Sequence, residues 1–147
     1  MKILVLNGPN LNMLGQRDKS QYGAMTLQDI EILVKNENSD VYFEFFQSNI
    51  EGELVDKIQK APAYFDALMI NPGGYAHTSV AIRDALADCS IIKVEVHLSN
   101  LSSREEFRQN CLTASVCNGY LSGFRELGYL AAVYLIRQIL KKENDKK

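Results

Sequence analysis

The 147-residue sequence predicts one α/β domain, in which helices cover both faces of a parallel β-sheet. Short runs rich in β-branched and aromatic residues alternate with helical patterns along the chain, which is typical of consecutive βα units. The first run, Ile3–Leu6, is continuously apolar, as expected for a strand buried on both faces. The length fits one hydrophobic core, and no internal repeat or low-complexity linker divides residues 1–147.

The elements after this first strand are predicted in order. Thr26 and Asp29 have the spacing of a capping box, with aspartate in place of the usual glutamate, and begin a helix that ends near Lys35. The later predicted elements are strand Val41–Phe46, helix Glu51–Lys60, strand Ala67–Ile70, helix Ser79–Asp88, strand Ile91–Val96, a short helix Arg104–Gln109, a weaker strand Val116–Leu121 and helix Leu127–Leu140. Residues 141–147 are expected to form a frayed, solvated tail. These units favour a flavodoxin-like three-layer sandwich with a five-stranded parallel sheet in the order 2-1-3-4-5.

The composition limits the function classes. The hydrophobic fraction of 46% and the charged fraction of 23% are ordinary, and the net charge of −2 provides no electrostatic footprint for nucleic acid. No apolar run approaches the ~20 residues of a transmembrane helix and no signal peptide is present, so we expect a cytoplasmic protein without a membrane partner. The three cysteines are too irregularly spaced for a disulfide framework, and two histidines argue against a histidine-rich metal site.

The segment Gly8–Met25 breaks the alternation. Its 18 residues contain no convincing helix or strand, whereas βα loops usually have about 2–6 residues. A loop of this length in a compact domain is more often functional than decorative. It follows the first strand at the edge of the sheet where open α/β proteins bind their ligands, beyond the carboxyl ends of the strands.

Polar side chains gather at the same edge. Predicted strands one, three and four run into Asn7–Asn12, Asn71–His77 and Glu95–Asn100, and these three strands are neighbours in the predicted order. Both histidines, several asparagines and the long loop therefore meet there. This coincidence, more than any single residue, predicts a functional site.

Each of these residues also has a purely structural explanation. Asn10 and Asn71 can serve turns, because asparagine tolerates left-handed backbone and bonds its own main chain. His77 can bond the backbone at a helix N-terminus, and His97 can be a hydrogen-bonded core residue. Glu95 favours a catalytic interpretation of His97, since it lies two residues earlier on the same strand face and can hold the imidazole tautomer of a general acid.

Tyr22 precedes Gly23 in the long loop and taken alone is more simply a surface aromatic. It can act as a base if cations stabilise its phenolate. Arg17 lies in the same loop, and Arg104 and Arg108 follow strand four with i, i+4 spacing. A unit charge at ~4 Å with an effective dielectric of ~20 contributes roughly 4 kcal/mol. One or two of these arginines therefore suffice for a phenolate near neutral pH.

Other chemistries lack their motifs. The chain has no GxxxxGK[ST] phosphate loop, no GxGxxG fingerprint after strand one and no GxSxG elbow. Strand three ends in Asn71, where a phospho-acceptor receiver needs aspartate. Lys93 lies at the wrong end of strand four for a Schiff base at this edge.

Taken together, these residues resemble the type II 3-dehydroquinate dehydratase family. The resemblance rests on collinear segments that cover nearly the whole chain: NGPNLNMLGQR (7–17), YG (22–23), FQSN and EGEL (46–54), NPGGYAHTS (71–79), RD (83–84), VEVHLSN (94–100), REEFR (104–108) and GY (128–129). It implies a flavodoxin-like enzyme without metal or cofactor, assembled as a dodecamer of four trimers. It also implies the reaction, which removes water from 3-dehydroquinate to give 3-dehydroshikimate in the shikimate pathway of aromatic amino-acid biosynthesis.

The resemblance further implies a role for each site residue. Tyr22 removes the C2 proton as a phenolate that Arg17 and Arg108 favour. Asn10 stabilises the resulting enolate, and His97 protonates the leaving C1 hydroxyl. In a general acid–base scheme these groups supply the one base, one acid and one enolate stabiliser that the elimination needs.

The remaining implied residues orient the acid or hold the substrate. Glu95 orients the imidazole of His97. The implied substrate ligands are Asn71, Ser99 and the backbone at Leu98 for the carboxylate, His77 and Arg108 for the ring hydroxyls, and Asp84 reaching in from an adjacent subunit.

Some segments depart from the family pattern, and two alternatives to the enzyme stay open. Lys19 stands where many members have proline, and Asn110–Leu112 replace a His-Ser-Tyr stretch, so regions that can form subunit contacts are altered. A non-catalytic flavodoxin-like module that binds a small ligand predicts a hydroxyl-rich loop after strand one, whereas residues 9–14 read PNLNML. An inactive homologue predicts loss of the tyrosine, arginine or histidine named above, and all three are present.

Overall fold

The structure, a computed structural model, describes residues 1–145. Its strands form one parallel sheet in the order β2-β1-β3-β4-β5, which confirms the predicted fold and strand order. The strands are β1 (Lys2–Asn7), β2 (Tyr42–Gln47), β3 (Ala67–Asn71), β4 (Ile92–His97) and β5 (Gly119–Ser122). The helices are α1 (Lys19–Tyr22), α2 (Leu27–Glu37), α3 (Glu51–Lys60), α4 (Val80–Asp88) and α5 (Leu127–Asn144).

Two apolar cores flank the sheet because side chains alternate along each strand. Ile3 and Val5 of β1 point to one face and pack with residues of α2 and α5. Leu4 and Leu6 point to the other face and pack with residues of α3 and α4. All four side chains are fully buried, which contributes roughly 1.5–3 kcal/mol for each of them. The continuous apolar run therefore produces three layers.

Local signals place several elements as predicted. Helix α3 has the predicted bounds. The capping box at the start of α2 is complete: the Thr26 hydroxyl accepts from the Asp29 N–H at 3.1 Å, and the Asp29 carboxylate accepts from the Thr26 N–H at 2.9 Å. Capping of this kind typically stabilises a helix by ~1 kcal/mol.

The connection after β4 differs from the prediction. Arg104–Gln109 was predicted as one short helix, but Arg104 has extended backbone and only Glu106–Gln109 form a 3₁₀ turn. The predicted fifth strand, Val116–Leu121, begins later, at Gly119, because residues 114–116 form a 3₁₀ turn first. Polar turn residues between β4 and β5 obscure both boundaries in the sequence.

The C-terminal helix is longer than predicted. Helix α5 continues four residues past Leu140 to Asn144, so the predicted frayed tail does not begin at Lys141. The rest of that predicted tail, residues 146–147, lies outside the described residues. Within residues 1–145, no helix is both long and apolar enough to cross a membrane.

The carboxyl ends of β1 and β3 lie side by side, with Asn7 opposite Asn71 in register. Immediately after β1, the Gly8 N–H donates to the Asn71 carbonyl at 2.8 Å. A Cβ atom on Gly8 would overlap the carbonyl oxygen of Pro72. Glycine therefore permits a close approach that brings two loops of the predicted site together.

We expect Gly8→Ala to lower the free energy of unfolding by about 1–3 kcal/mol, because the clashing atom belongs to rigid backbone. The matched control is Gly74→Ala, where an added Cβ meets no atom within 4 Å. That control should stay within about 0.5 kcal/mol of the parent. Urea denaturation of the three proteins measures both values, and equal stability of the two variants would contradict the close approach.

Candidate active site

A cavity of about 90 Å³ opens at the carboxyl ends of β1, β3 and β4. It brings together most of the residues predicted for the site, namely Asn10, Arg17, Tyr22, Asn71, His77, His97, Leu98, Ser99 and Arg108. Pro9, Leu11, Gly73, Gly74, Leu101 and Arg104 complete its lining. Asp84 is not among the lining residues; its side chain is 64% exposed on α4.

His97 and Glu95 form a buried pair at the end of β4. They lie on the same face of the strand, and His97 Nε2 is 2.6 Å from Glu95 Oε1. The two side chains are 5% and 0% exposed. With an ionised carboxylate, Nε2 carries the hydrogen and donates it, which leaves Nδ1 as the ring nitrogen that exchanges a proton. The predicted orientation of the imidazole by Glu95 therefore has a direct geometric basis.

Tyr22 ends a helical turn that the sequence did not reveal within residues 8–25. The Asp18 side chain caps helix α1 by accepting from the Ser20 N–H at 2.9 Å, and Gly23 follows with a positive φ of 80°. The cap and the glycine fix the position of Tyr22 between them. Its ring packs against the core formed with α2 and α5, so its hydroxyl is presented from an anchored side chain.

Two guanidinium groups lie next to the Tyr22 ring. Arg17 Nη2 donates to the Tyr22 hydroxyl at 2.9 Å, and its guanidinium carbon is 3.9 Å from the ring centroid. The guanidinium of Arg104 is 5.2 Å from the same centroid. Arg108, which was predicted as the second cation, lines the cavity but binds the Glu105 carboxylate at 2.7 Å. Two positive charges therefore lie against the Tyr22 side chain.

Arg104 is the site residue that the sequence reasoning noticed but did not assign. Besides facing Tyr22, its Nη1 donates to the Ser99 hydroxyl at 3.1 Å. Its side chain is only 10% exposed. It therefore places a positive charge next to Ser99, one of the residues predicted to bind the substrate carboxylate. The signal for it was its i, i+4 spacing with Arg108, but that spacing does not tell which arginine faces the tyrosine.

A buried network links the ends of β1 and β3 to α5. The Tyr129 hydroxyl donates to Asn7 Oδ1 at 2.6 Å and accepts from Asn71 Nδ2 at 3.1 Å. Asn71 Oδ1 in turn accepts from the Gly73 N–H at 3.2 Å. Burial raises the pKa of Tyr129 far above its usual value, so the phenol keeps its proton and can donate. Asn71 therefore reaches the cavity with a fixed orientation.

We expect Tyr129→Phe to lower the free energy of unfolding by about 1–3 kcal/mol, because it leaves the buried side-chain oxygen of Asn7 without its donor. Tyr134→Phe is the matched control on the same helix, since Tyr134 is 62% exposed. Its effect should stay within about 0.5 kcal/mol. Urea denaturation measures both; a Tyr129 variant as stable as the control would show that the network does not stabilise the fold.

His77 stands beside His97 with its ring in a defined tautomer. Its Nδ1 is 2.9 Å from the Asn110 carbonyl, which can only accept, so Nδ1 carries the hydrogen. Its Nε2 has no hydrogen-bond partner within residues 1–145. Burial lowers the pKa of His77 below 6.5, and the neighbouring His97 acts in the same direction. The neutral ring therefore offers Nε2 as an acceptor for a hydroxyl group.

Asn10 has the left-handed backbone that the sequence allowed, with φ of 67°. Its backbone N–H donates to the side chain of Asn49 at 3.0 Å, and its own side chain makes no capping hydrogen bond. Asn10 can therefore form this turn and still serve the site with its side chain.

The cavity as a whole offers a phenol beside two cations, an imidazole held by a carboxylate, and amide and hydroxyl groups. This set can remove a proton from carbon, protonate a leaving oxygen and hold an anion.

Known proteins share both the sequence and the fold. Residues 1–137 match the family described as dehydroquinase class II. The 3-dehydroquinate dehydratase of Nitratiruptor sp. is 49% identical over 144 residues, which cover 97% of this chain and 92% of that protein. The protein of the same name from Fusobacterium nucleatum is 50% identical over 142 residues, covering 92% and 97%.

Solved structures agree with the sequence matches. The crystal structure of type II dehydroquinase from Butyrivibrio crossotus is 46% identical, with a TM-score of 0.91 over 93% of this chain and 97% of that chain. The type II dehydroquinase from Propionibacterium acnes is 34% identical, with a TM-score of 0.86 over 92% and 96%. The family resemblance inferred from the motifs is thereby confirmed, and the chain belongs to the class II dehydroquinase family.

Proposed function

We propose that this chain is a 3-dehydroquinate dehydratase that converts 3-dehydroquinate to 3-dehydroshikimate and water in the shikimate pathway. One observation carries the proposal: a phenol that accepts a hydrogen bond from Arg17 and an imidazole bound to Glu95 line the same cavity. The relatives that carry this activity in their names support the choice of substrate.

The first step is removal of a proton from carbon. The Tyr22 phenolate, stabilised by Arg17 and Arg104, takes a hydrogen from C2, next to the C3 ketone. The C–H electron pair forms the C2–C3 double bond, and the carbonyl electrons move to oxygen to give an enolate. Asn10 lies in the cavity lining, and its side-chain amide can stabilise this oxygen.

The second step expels water. The enolate re-forms the ketone as a C1–C2 double bond develops and the C1–O bond breaks. The imidazolium of His97 donates its proton to the leaving hydroxyl, so that water departs. Proton return from Tyr22 to His97 through solvent restores the starting state. Glu95 orients the imidazole for this transfer, because its carboxylate oxygen lies 2.6 Å from His97 Nε2.

The remaining lining residues bind the substrate. Asn71, Ser99 and the backbone at Leu98 hold the carboxylate, with the positive charge of Arg104 next to Ser99. His77, through its unpaired Nε2, and Arg108 bind the ring hydroxyls. Asp84 acts from a neighbouring subunit; its exposure on α4 supports this assignment.

Mixing the purified protein with 3-dehydroquinate tests the activity, because the conjugated enone of the product absorbs in the ultraviolet where the substrate does not. Folded protein without this absorbance change would eliminate the lyase and revive the binding module. Borohydride added with substrate should trap no adduct, since none of the cavity-lining residues within 1–145 is a lysine. EDTA should leave the rate unchanged, because no metal takes part in the proposed steps.

We also propose a homo-oligomer, a dodecamer of four trimers. The exposed edge of β2 supports it, because unpaired edge strands are usually covered. A second depression, of about 970 Å³, adjoins this edge and is lined by aromatic and charged residues of both signs: Tyr42, Phe46, Tyr64, Phe65, Glu44, Glu53, Asp56, Lys2, Lys57 and Lys60. Charges of both signs in one depression allow ion pairs with the same surface of a second copy. Light scattering after size exclusion measures the mass, and a monomer would refute the assembly.

We propose the cytoplasm as the location. The three free thiols, Cys89, Cys111 and Cys117, support it, because a reducing compartment keeps such cysteines unpaired. Cell fractionation with an antibody against the native protein tests it, and recovery outside the cytoplasmic fraction would contradict it.

A further inference from the structure

Cys111 lies beside the buried pair of Glu95 and His97 but takes no part in the proposed reaction. Its sulfur, a carboxylate oxygen of Glu95 and a ring nitrogen of His97 all lie within 4.8 Å of one another. Glu95 is fully buried, and its Oε2 has no hydrogen-bond partner within residues 1–145. A fully buried carboxylate oxygen without a donor is costly, and this one lies in a cluster of metal-ligand side chains.

We propose that Glu95, His97 and Cys111 form a Zn²⁺ site that inhibits the enzyme. Thiolate, imidazole and carboxylate are the three side-chain ligands that zinc takes in proteins. With Zn–N, Zn–O and Zn–S bonds of about 2.0–2.3 Å, tetrahedral ligand atoms lie about 3.4–3.6 Å apart. The separations between the ligand atoms, which are at most 4.8 Å, therefore have to shorten by no more than about 1.4 Å to form the site.

Of the three ligands, His97 is the one that lines the substrate cavity, whereas Glu95 and Cys111 do not. Three protein ligands with one open position are the arrangement of zinc sites that exchange a bound water or anion. Cys117, the other half-buried cysteine, instead directs its thiol to the Thr113 carbonyl at 3.5 Å and is not part of this cluster.

A zinc ion bound by both Glu95 and His97 takes up the carboxylate that orients the imidazole. It also occupies a ring nitrogen of His97, so the ring can no longer act as the acid. This consequence rests on the proposed function, since it assigns the acid of the dehydration to His97. Presence of the metal site itself does not depend on that assignment, which allows the two to be tested separately.

Titration of the intact, EDTA-treated protein with Co²⁺ tests the site without any measurement of activity. We expect a thiolate-to-cobalt charge-transfer band that saturates at one metal per chain and disappears when Zn²⁺ displaces the cobalt. Cys111→Ser should lose the band, and the matched control Cys117→Ser should keep it. The proposal is overturned if the parent protein gives no band, if Cys111→Ser keeps it, or if Cys117→Ser loses it.

A second measurement covers the case in which Cys111→Ser does not fold. Zn²⁺ should protect Cys111 of the parent protein from a maleimide, as read by peptide mass mapping, while labelling of Cys117 stays unchanged. Unaltered labelling of Cys111 would refute the site. In an active preparation, Zn²⁺ should inhibit the parent and the Cys117 variant alike; inhibition that survives in a folded Cys111→Ser variant would refute the inhibitory role.

Discussion

Replacing Tyr22 with phenylalanine is expected to lower kcat by about 10²–10⁴-fold, the range that a positioned general base contributes. Phenylalanine keeps the ring that packs against the core, so the fold and the cavity should persist. Only the oxygen that accepts the hydrogen bond from Arg17 is removed. Steady-state kinetics with 3-dehydroquinate give the rate, and circular dichroism checks the fold.

Tyr134→Phe serves as the control for this experiment, because it also removes a phenolic hydroxyl, but from an exposed position on α5. It should leave kcat within about twofold of the parent. Substantial turnover by the Tyr22 variant would move the base to another residue. A loss of turnover in both variants would instead indicate a general effect of preparation rather than chemistry.

The second large effect is expected at His97, where one substitution should change both kcat and the free energy of unfolding for different reasons. His97→Ala should lower kcat by about 10²–10⁴-fold through loss of the acid. It should also lower the free energy of unfolding by about 3–5 kcal/mol, because it leaves the buried Glu95 carboxylate without its partner. Urea denaturation and steady-state kinetics measure the two effects on the same samples.

The double variant Glu95→Gln/His97→Ala distinguishes the two causes. Glutamine has nearly the shape of glutamate and no charge, so much of the lost stability should return. Activity should not return, because the acid is still missing. If the double variant is as unstable as His97→Ala, the uncompensated charge is not the reason for the destabilisation. If either variant retains near-parent turnover, the acid lies elsewhere.

Particular elements explain why so much of the fold could be predicted. The run Ile3–Leu6 is apolar at every position, and both of its faces are buried. The Thr26–Asp29 capping box and helix Glu51–Lys60 were recognisable because caps and helical periodicity act over a few neighbouring residues. The errors fall where such local signals are weak: the short turns between β4 and β5, and the charged last turns of α5.

Some features of the candidate site could likewise be predicted from the sequence, and others could not. Strand ends of a parallel sheet share an edge, so the sequence alone predicts that Asn71, His77 and His97 meet. The spacing of Glu95 and His97 similarly predicted their contact. The hydroxyl network of Tyr129 gave no sequence signal, because it joins residues more than 50 positions apart.

By itself, the sequence determined the α/β class, the edge that carries the site and the identity of most groups in the cavity. These follow from patterns between near neighbours and from the geometry common to all parallel sheets. Only the tertiary structure decided that Arg104, rather than Arg108, lies with Arg17 beside Tyr22. It also decided that Cys111 lies beside Glu95 and His97. Both depend on irregular turns after β4, where local preference is weak and packing against distant residues sets the backbone.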